Sequence, residues 1–278
     1  MSRVHYLSIA LCLILASVLV IYISVKRKKD KKRLRIGLQA IIDVRNLMVL
    51  VQQHRGWSTV YTLGDIKAQE QLRLLKNDIQ RQNTALSKAY HLTQYDRWQA
   101  YVEHWQRLSE KALHLSSSDN FKQHTQLLGC VLFLLEDVAH TYYLTNKEAL
   151  PDKLLWRDLL QLSEFIGQAR ALGTAMATIK QFNRVERSKL IALRHQITDL
   201  SENLYQRLSE QNLSEDLAKN VTYASKCTRY LCSAIEHELV ETKDIDMDRD
   251  SYFQLASDSI SAINQLFDQE LKRIELTM

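Results

Sequence analysis

Asn46–Gly64 reads NLMVLVQQHRGWSTVYTLG, an apolar stretch in which Arg55 is the only full charge and His54 lies beside it. A second stretch, Phe165–Ile179 (FIGQARALGTAMATI), again carries a single charge, Arg170. The two align: Gln53-His54-Arg55-Gly56-Trp57-Ser58-Thr59 against Gln168-Ala169-Arg170-Ala171-Leu172-Gly173-Thr174. Each reads Gln, any residue, Arg, small, bulky, small, Thr. Both read as helices, on which residues three and four apart share a face. Arg55 then shares its stripe with Val51, Gln52, Ser58 and Thr59, and Arg170 with Ile166, Gly167, Gly173 and Thr174. These stripes leave room beside each guanidinium. A buried arginine without a counter-charge is costly, so either a carboxylate of the chain or a bound anion must neutralise it.

The rest of the chain is written in the same helical idiom. Six glycines and one proline in 278 residues are too few for the turns of a sheet, and leucine, alanine, glutamine and charged residues dominate. The expectation is an all-α fold. From about Leu34 the helical pattern is nearly unbroken. It predicts a long first helix ending near Leu63-Gly64-Asp65, then helices near 67–90, 95–115 and 121–145, with a polar break at Ser116–Asn120. Trp98 and Trp105 read as core anchors. Pro151 suits the first turn of a helix that runs through Arg170 to about Lys180. Further helices are expected near 184–212 and 215–242, with a last one from Tyr252 to Leu276. No linker divides them, so the expected architecture is two up-and-down helical bundles sharing long helices.

Tyr6–Val25 (YLSIALCLILASVLVIYISV) is uncharged and long enough to span a bilayer. Eight Lys/Arg and one Asp follow in Lys26–Arg35, whereas only Arg3 precedes the run. A cleaved signal peptide has the opposite charge order. The expected organisation is therefore an N-terminal transmembrane helix with its basic flank over residues 1–34. A domain over 35–278 follows on the cytoplasmic side of the inner membrane, as a single-pass protein. The basic flank fixes topology and lies near anionic head groups. The formal charge of +5 falls to −3 when the net +7 of Lys26–Arg35 and the charge of Arg3 are set aside. A mildly acidic body is not a nucleic-acid-binding footprint.

Several constellations fail on their own chemistry. Asp244-x-Asp246-x-Asp248-x-Asp250 has Arg249 and Leu255 where a calcium loop needs Gly and Glu, so it reads as an acidic loop capping the last helix. Cys12, Cys130, Cys227 and Cys232 form neither a disulfide framework nor a zinc pattern. His54 lies in an apolar run, unlike an exposed phosphotransfer histidine. No glycine-rich phosphate loop is present, and no Ser/His/Asp arrangement has motif support. The reading is a protein without catalysis and without a cofactor.

The arginine pair remains. Glu136, Asp137 or Glu164 could each supply an internal counter-charge. Alternatively the two forked, planar guanidiniums could face each other and hold a small planar oxyanion such as nitrate, nitrite or a short carboxylate. Ser58, Thr59 and Thr174 could add donors, and His54 could add charge.

Leu47–Gly64, with its Leu-x-x-x-x-Gln-Gln-His-Arg-Gly-x-Ser core, resembles the first signature of the nitrate- and nitrite-sensing (NIT) domain family. Leu134–Val138 with Tyr143-Leu144-Thr145 resembles the segment before that family's second long helix. Pro151 followed by Ile166–Gly173 resembles the helix itself, and Tyr252-Phe253 resembles the opening of its last one. The resemblance spans roughly residues 36–276. It implies paired four-helix bundles that bind nitrate or nitrite between helices through Arg55 and Arg170. A third family-like arginine falls at Arg229, on a face with Ser225, Cys232 and Ser233. A basic residue before Arg55 in relatives would correspond to His54 and make affinity depend on pH. Such domains usually precede an output module, whereas this chain ends at Met278. Signalling is therefore expected through an unidentified output protein or through a homodimer. The alternatives are a membrane-anchored helical scaffold without ligand and a sensor of another small anion.

Overall fold

The structure, a computed structural model, describes residues 3–142, 144, 155–181, 184–211 and 213–277. Every regular element among them is helical. Eight α-helices follow one another as α1 (Arg3–Thr62), α2 (Ala68–Tyr90), α3 (Asp96–Lys111) and α4 (Ser117–Thr141), then α5 (Trp156–Ile179), α6 (Arg184–Ser209), α7 (Glu215–Ala234) and α8 (Arg249–Thr277).

Local chemistry sets several of the ends. With no proline before residue 151, α1 runs unbroken for 60 residues until Gly64 turns the chain at φ 105°, a conformation that suits glycine. Ser116 caps α4 by accepting the Asp119 amide at 3.1 Å, and Ser214 caps α7 by accepting that of Leu217 at 3.3 Å. Asp248 accepts the Ser251 amide at 2.8 Å, so the acidic loop does cap the last helix. Two boundaries differ from expectation. Ser116–Asn120 is a cap followed directly by the first turn of α4, because a serine three residues before an aspartate starts a helix. The seventh helix widens over Ile235–Val240 into a π-helical turn. The expected start at Pro151 lies outside the described residues, as do Tyr143 and Thr145.

Packing divides the helices into two sets. α1 packs on α2 and α4, and α3 on α4; α5 packs on α6 and α8, and α7 on α6 and α8. Within each set, short connections make consecutive helices antiparallel. The first core gathers Leu47, Met48, Ile79, Tyr101, Leu127 and Val131 with Trp98 and Trp105, the second gathers Leu159, Ile166, Ile197, Leu204, Leu231 and Phe267, and the two join into one continuous hydrophobic cluster. The sets meet where α1 packs on α5 and α8 and where α4 packs on α5. Sharing is thus confined to a seam, and α1 and α5 are its two facing helices.

Among the described residues no helix is long and apolar enough to cross a membrane. Of the expected span Tyr6–Val25, the side chains of residues 6–10 and 12 lie outside those described. The others, Leu11 and Leu13 to Val25, are exposed on all sides of α1.

Candidate functional site

Both arginines lie at the seam, each reaching across a glycine of the opposite helix. Arg55, on α1, is fully buried. Its side chain passes over Gly167 of α5, where a Cβ would fall 2.6 Å from Nη2. Arg170, on α5, is also buried. Its Nη2 lies 3.6 Å from the place a Cβ would take on Gly56 of α1 and donates to the Gln52 carbonyl at 3.2 Å. The small residues of the two stripes therefore let the backbones approach and let the guanidiniums cross between them.

The two charges are settled differently. Arg55 donates Nη1 to Glu164 Oε1 at 2.7 Å and Nη2 to Glu164 Oε2 at 3.1 Å, a forked pair with both side chains buried. Glu164 also accepts from Gln52 Nε2 at 2.9 Å and from Gln168 Nε2 at 3.0 Å, so its lone pairs are well used. Arg55 does not present its fork to open space. Glu136 and Asp137 pair instead with Arg157 and Arg97.

Arg170 has no carboxylate partner among the described residues. Nη1 donates to the Ser257 hydroxyl of α8 at 3.1 Å, and the guanidinium stands 5.0 Å from the Phe253 ring centroid. Neutral oxygens and a ring face compensate a buried cation only in part. Burial, and after it the Arg55 charge, push its pKa down to about 10, against the opposing pull of Glu164 and Tyr252. It remains charged at neutral pH. Around the pair, Arg55 Nε, Arg170 Nε, Gln52 Oε1 and Thr174 Oγ1 are buried and make no hydrogen bond among the described residues. Three of these atoms are donors.

Tyr252 closes the end of the seam next to Arg170. Its hydroxyl donates to the Ala169 carbonyl at 2.9 Å, and its ring lies where any Cβ on Gly173 would fall, within 2.3 Å. Gly173 is therefore needed for close packing of α5 on α8.

The other expected site residues fall in three places. Ser58 and Thr59 are buried beside Arg55, but both hydroxyls donate back to its own carbonyl, at 3.0 and 2.9 Å. Ser58 in addition accepts from Asn120 at 2.9 Å. Thr174 lies one turn beyond Arg170, and its hydroxyl has no partner among the described residues.

His54 turns to the other side of α1. Its Nδ1 is 2.9 Å from His124 Nε2, and its ring meets Trp105 edge-on at 5.0 Å. The His124 Nδ1 proton goes to the Asn120 carbonyl at 2.9 Å, so His54 is the donor between the rings. Burial, aided by the charge of Lys76, lowers the pKa of His54 to about 3. The expected extra positive charge is thus corrected: His54 is neutral near pH 7 and belongs to the first core. Its outer edge lines a surface cavity of about 780 Å³ with Lys67, Arg73 and Lys76.

Arg229 is not part of the cluster. It is exposed on α7, whose buried face is formed by Leu217, Val221, Ala224, Cys227, Thr228 and Leu231. The sequence reading missed Phe253 and Ser257 as partners of Arg170. Their four-residue spacing on α8, a shared face, was the available signal. No group of three or more His, Cys, Asp or Glu among the described residues is placed to hold a metal ion.

No family model and no curated protein sequence matches the chain. A solved structure of the NasR transcription antiterminator is similar, with TM-score 0.67 and 13% sequence identity. The match covers 94% of this chain and 74% of that one. At that identity the likeness speaks for the fold: this chain shares the helical architecture of NasR over nearly its whole length.

Proposed function

We propose that the chain is a sensory protein that binds a small monovalent oxyanion, nitrate or nitrite, at the α1/α5 seam. The observation that carries this reading is Arg170, a buried guanidinium with no carboxylate partner among the described residues. It lies beside a second guanidinium and buried donors that lack partners among those same residues. A bound anion would supply the missing counter-charge and hydrogen bonds. The NIT-like signatures around both arginines support the choice of ligand, and the architecture shared with NasR fits the helical fold that those signatures imply. Binding would favour one packing of the two bundles over another, a population shift that reaches an output protein or a second copy of the chain. The role is one of binding, without a catalytic step.

Membrane tethering through Tyr6–Val25, with residues 35–278 on the cytoplasmic side, belongs to the same proposal. It is supported by apolar side chains exposed around α1 between Leu11 and Val25 and by the basic cluster directly after them.

The deciding experiment is thermal unfolding of the full-length chain with sodium nitrate, sodium nitrite or sodium chloride. Nitrate or nitrite should raise the melting temperature, and Arg170→Ala should abolish the rise. Equal stabilisation by chloride overturns the ligand assignment. The absence of any anion effect favours a helical scaffold, the reading that the Arg55–Glu164 pair supports.

A further inference from the structure

Glu164 puts one negative charge into a cluster of two buried arginines. Its carboxylate is 2% exposed and is held by Arg55, Gln52 and Gln168 at 2.7–3.1 Å. The groups that face Arg170 electrostatically are Arg55, Glu164 and Tyr252. Tyr252 is a buried phenol whose pKa is raised by burial, and His54 and His124 are held neutral by burial on the far side of α1. Among the described residues the seam therefore holds two positive charges and one negative.

We propose that Glu164 sets the valence of the guest: with Arg55 neutralised in place, the seam carries a single uncompensated positive charge, and one monovalent anion at Arg170 brings it to zero. This rests on the anion-binding reading above. A divalent anion would leave a net negative charge in a dry, low-dielectric seam, which carries a heavy desolvation cost. Without Glu164 the same seam would hold two positive charges and suit a divalent guest. Glu164 is then a specificity-determining residue that discriminates by charge count, while the Arg170 fork and its neighbours discriminate by shape.

The test compares sodium nitrate with sodium sulfate at matched ionic strength, using melting temperature and calorimetric titration on the full-length chain. Wild type should bind nitrate more than about tenfold tighter than sulfate. Glu164→Gln, which raises the seam to two positive charges, should reverse that preference. The double variant Arg55→Gln/Glu164→Gln, which restores one, should recover it. Sulfate binding as tightly as nitrate in wild type overturns the valence assignment, as does an unchanged preference in Glu164→Gln. Should Glu164→Gln fail to fold, the double variant decides: a retained nitrate preference supports the proposal, and its loss overturns it. These results differ from failure of the receptor reading itself, which would appear as no anion effect in wild type or an effect that survives Arg170→Gln.

Discussion

Arg55 and Arg170 stand in matching sequence contexts and reach opposite electrostatic ends. Each crosses a glycine of the facing helix, and each is buried. Arg55 finds a forked carboxylate, whereas Arg170 finds a carbonyl, a hydroxyl and a ring face. The residues just before them diverge too: His54 joins a buried imidazole pair, while its counterpart Ala169 cannot titrate. One side of the seam is a charge-matched structural pair. The other holds a charge with unmet demand, and that asymmetry localises the candidate site at Arg170.

The comparison can be broken most forcefully through Glu164. Glu164→Ala strands Arg55 as an uncompensated buried cation and should cost about 3–5 kcal/mol, read by urea unfolding. A loss below about 1 kcal/mol would mean that Arg55 does not depend on this partner.

The imidazole side gives a second test. Folded His54 takes up a proton only near pH 3, while the unfolded chain does so near the ordinary value of 6.5. Stability is therefore full above pH 6.5 and falls as the pH drops from 6.5 toward 3, with His54 contributing about 1.4 kcal/mol per pH unit. His54→Gln should recover about 2 kcal/mol at pH 5 relative to pH 7. An identical pH profile for wild type and variant would place His54 in water instead.

The smallest effect, and the one with the telling sign, belongs to Arg170. Arg170→Met should be neutral to stabilising, by up to about 2 kcal/mol, because an apolar chain of similar length replaces a poorly compensated charge. A destabilisation matching that of Glu164→Ala would erase the distinction between the two arginines.

Much of this arrangement was legible in the residues. The scarcity of breakers announced long helices, Gly64 marked the end of α1, and a lone charge in each apolar stretch marked the seam. Glu164 was one of three carboxylates that could have answered an arginine. The choice among them needed the fold, because it depends on which turn of α5 lies opposite Arg55. His54 was misread because adjacent residues on a helix do not share a face, so the neighbour of a seam residue can serve the opposite core. Arg229 could have been set aside from the apolar spacing of Leu217, Val221, Ala224, Thr228 and Leu231, which turns its own position to solvent. The hydroxyls of Ser58 and Thr59 illustrate a different limit. A helix offers each such group its own carbonyls, and that local partner competes with any guest.

The unbroken course of α1 has one more consequence. Its 60 residues form a rod about 90 Å long with no joint between the apolar leader and Arg55. Rotational phase is therefore conserved along it. Adding one residue between Lys26 and Leu34 would swing the leader by roughly 100° relative to the seam, whereas adding seven would nearly restore its bearing. The angular setting of the leader is thus written into the spacing of the basic segment as firmly as its length.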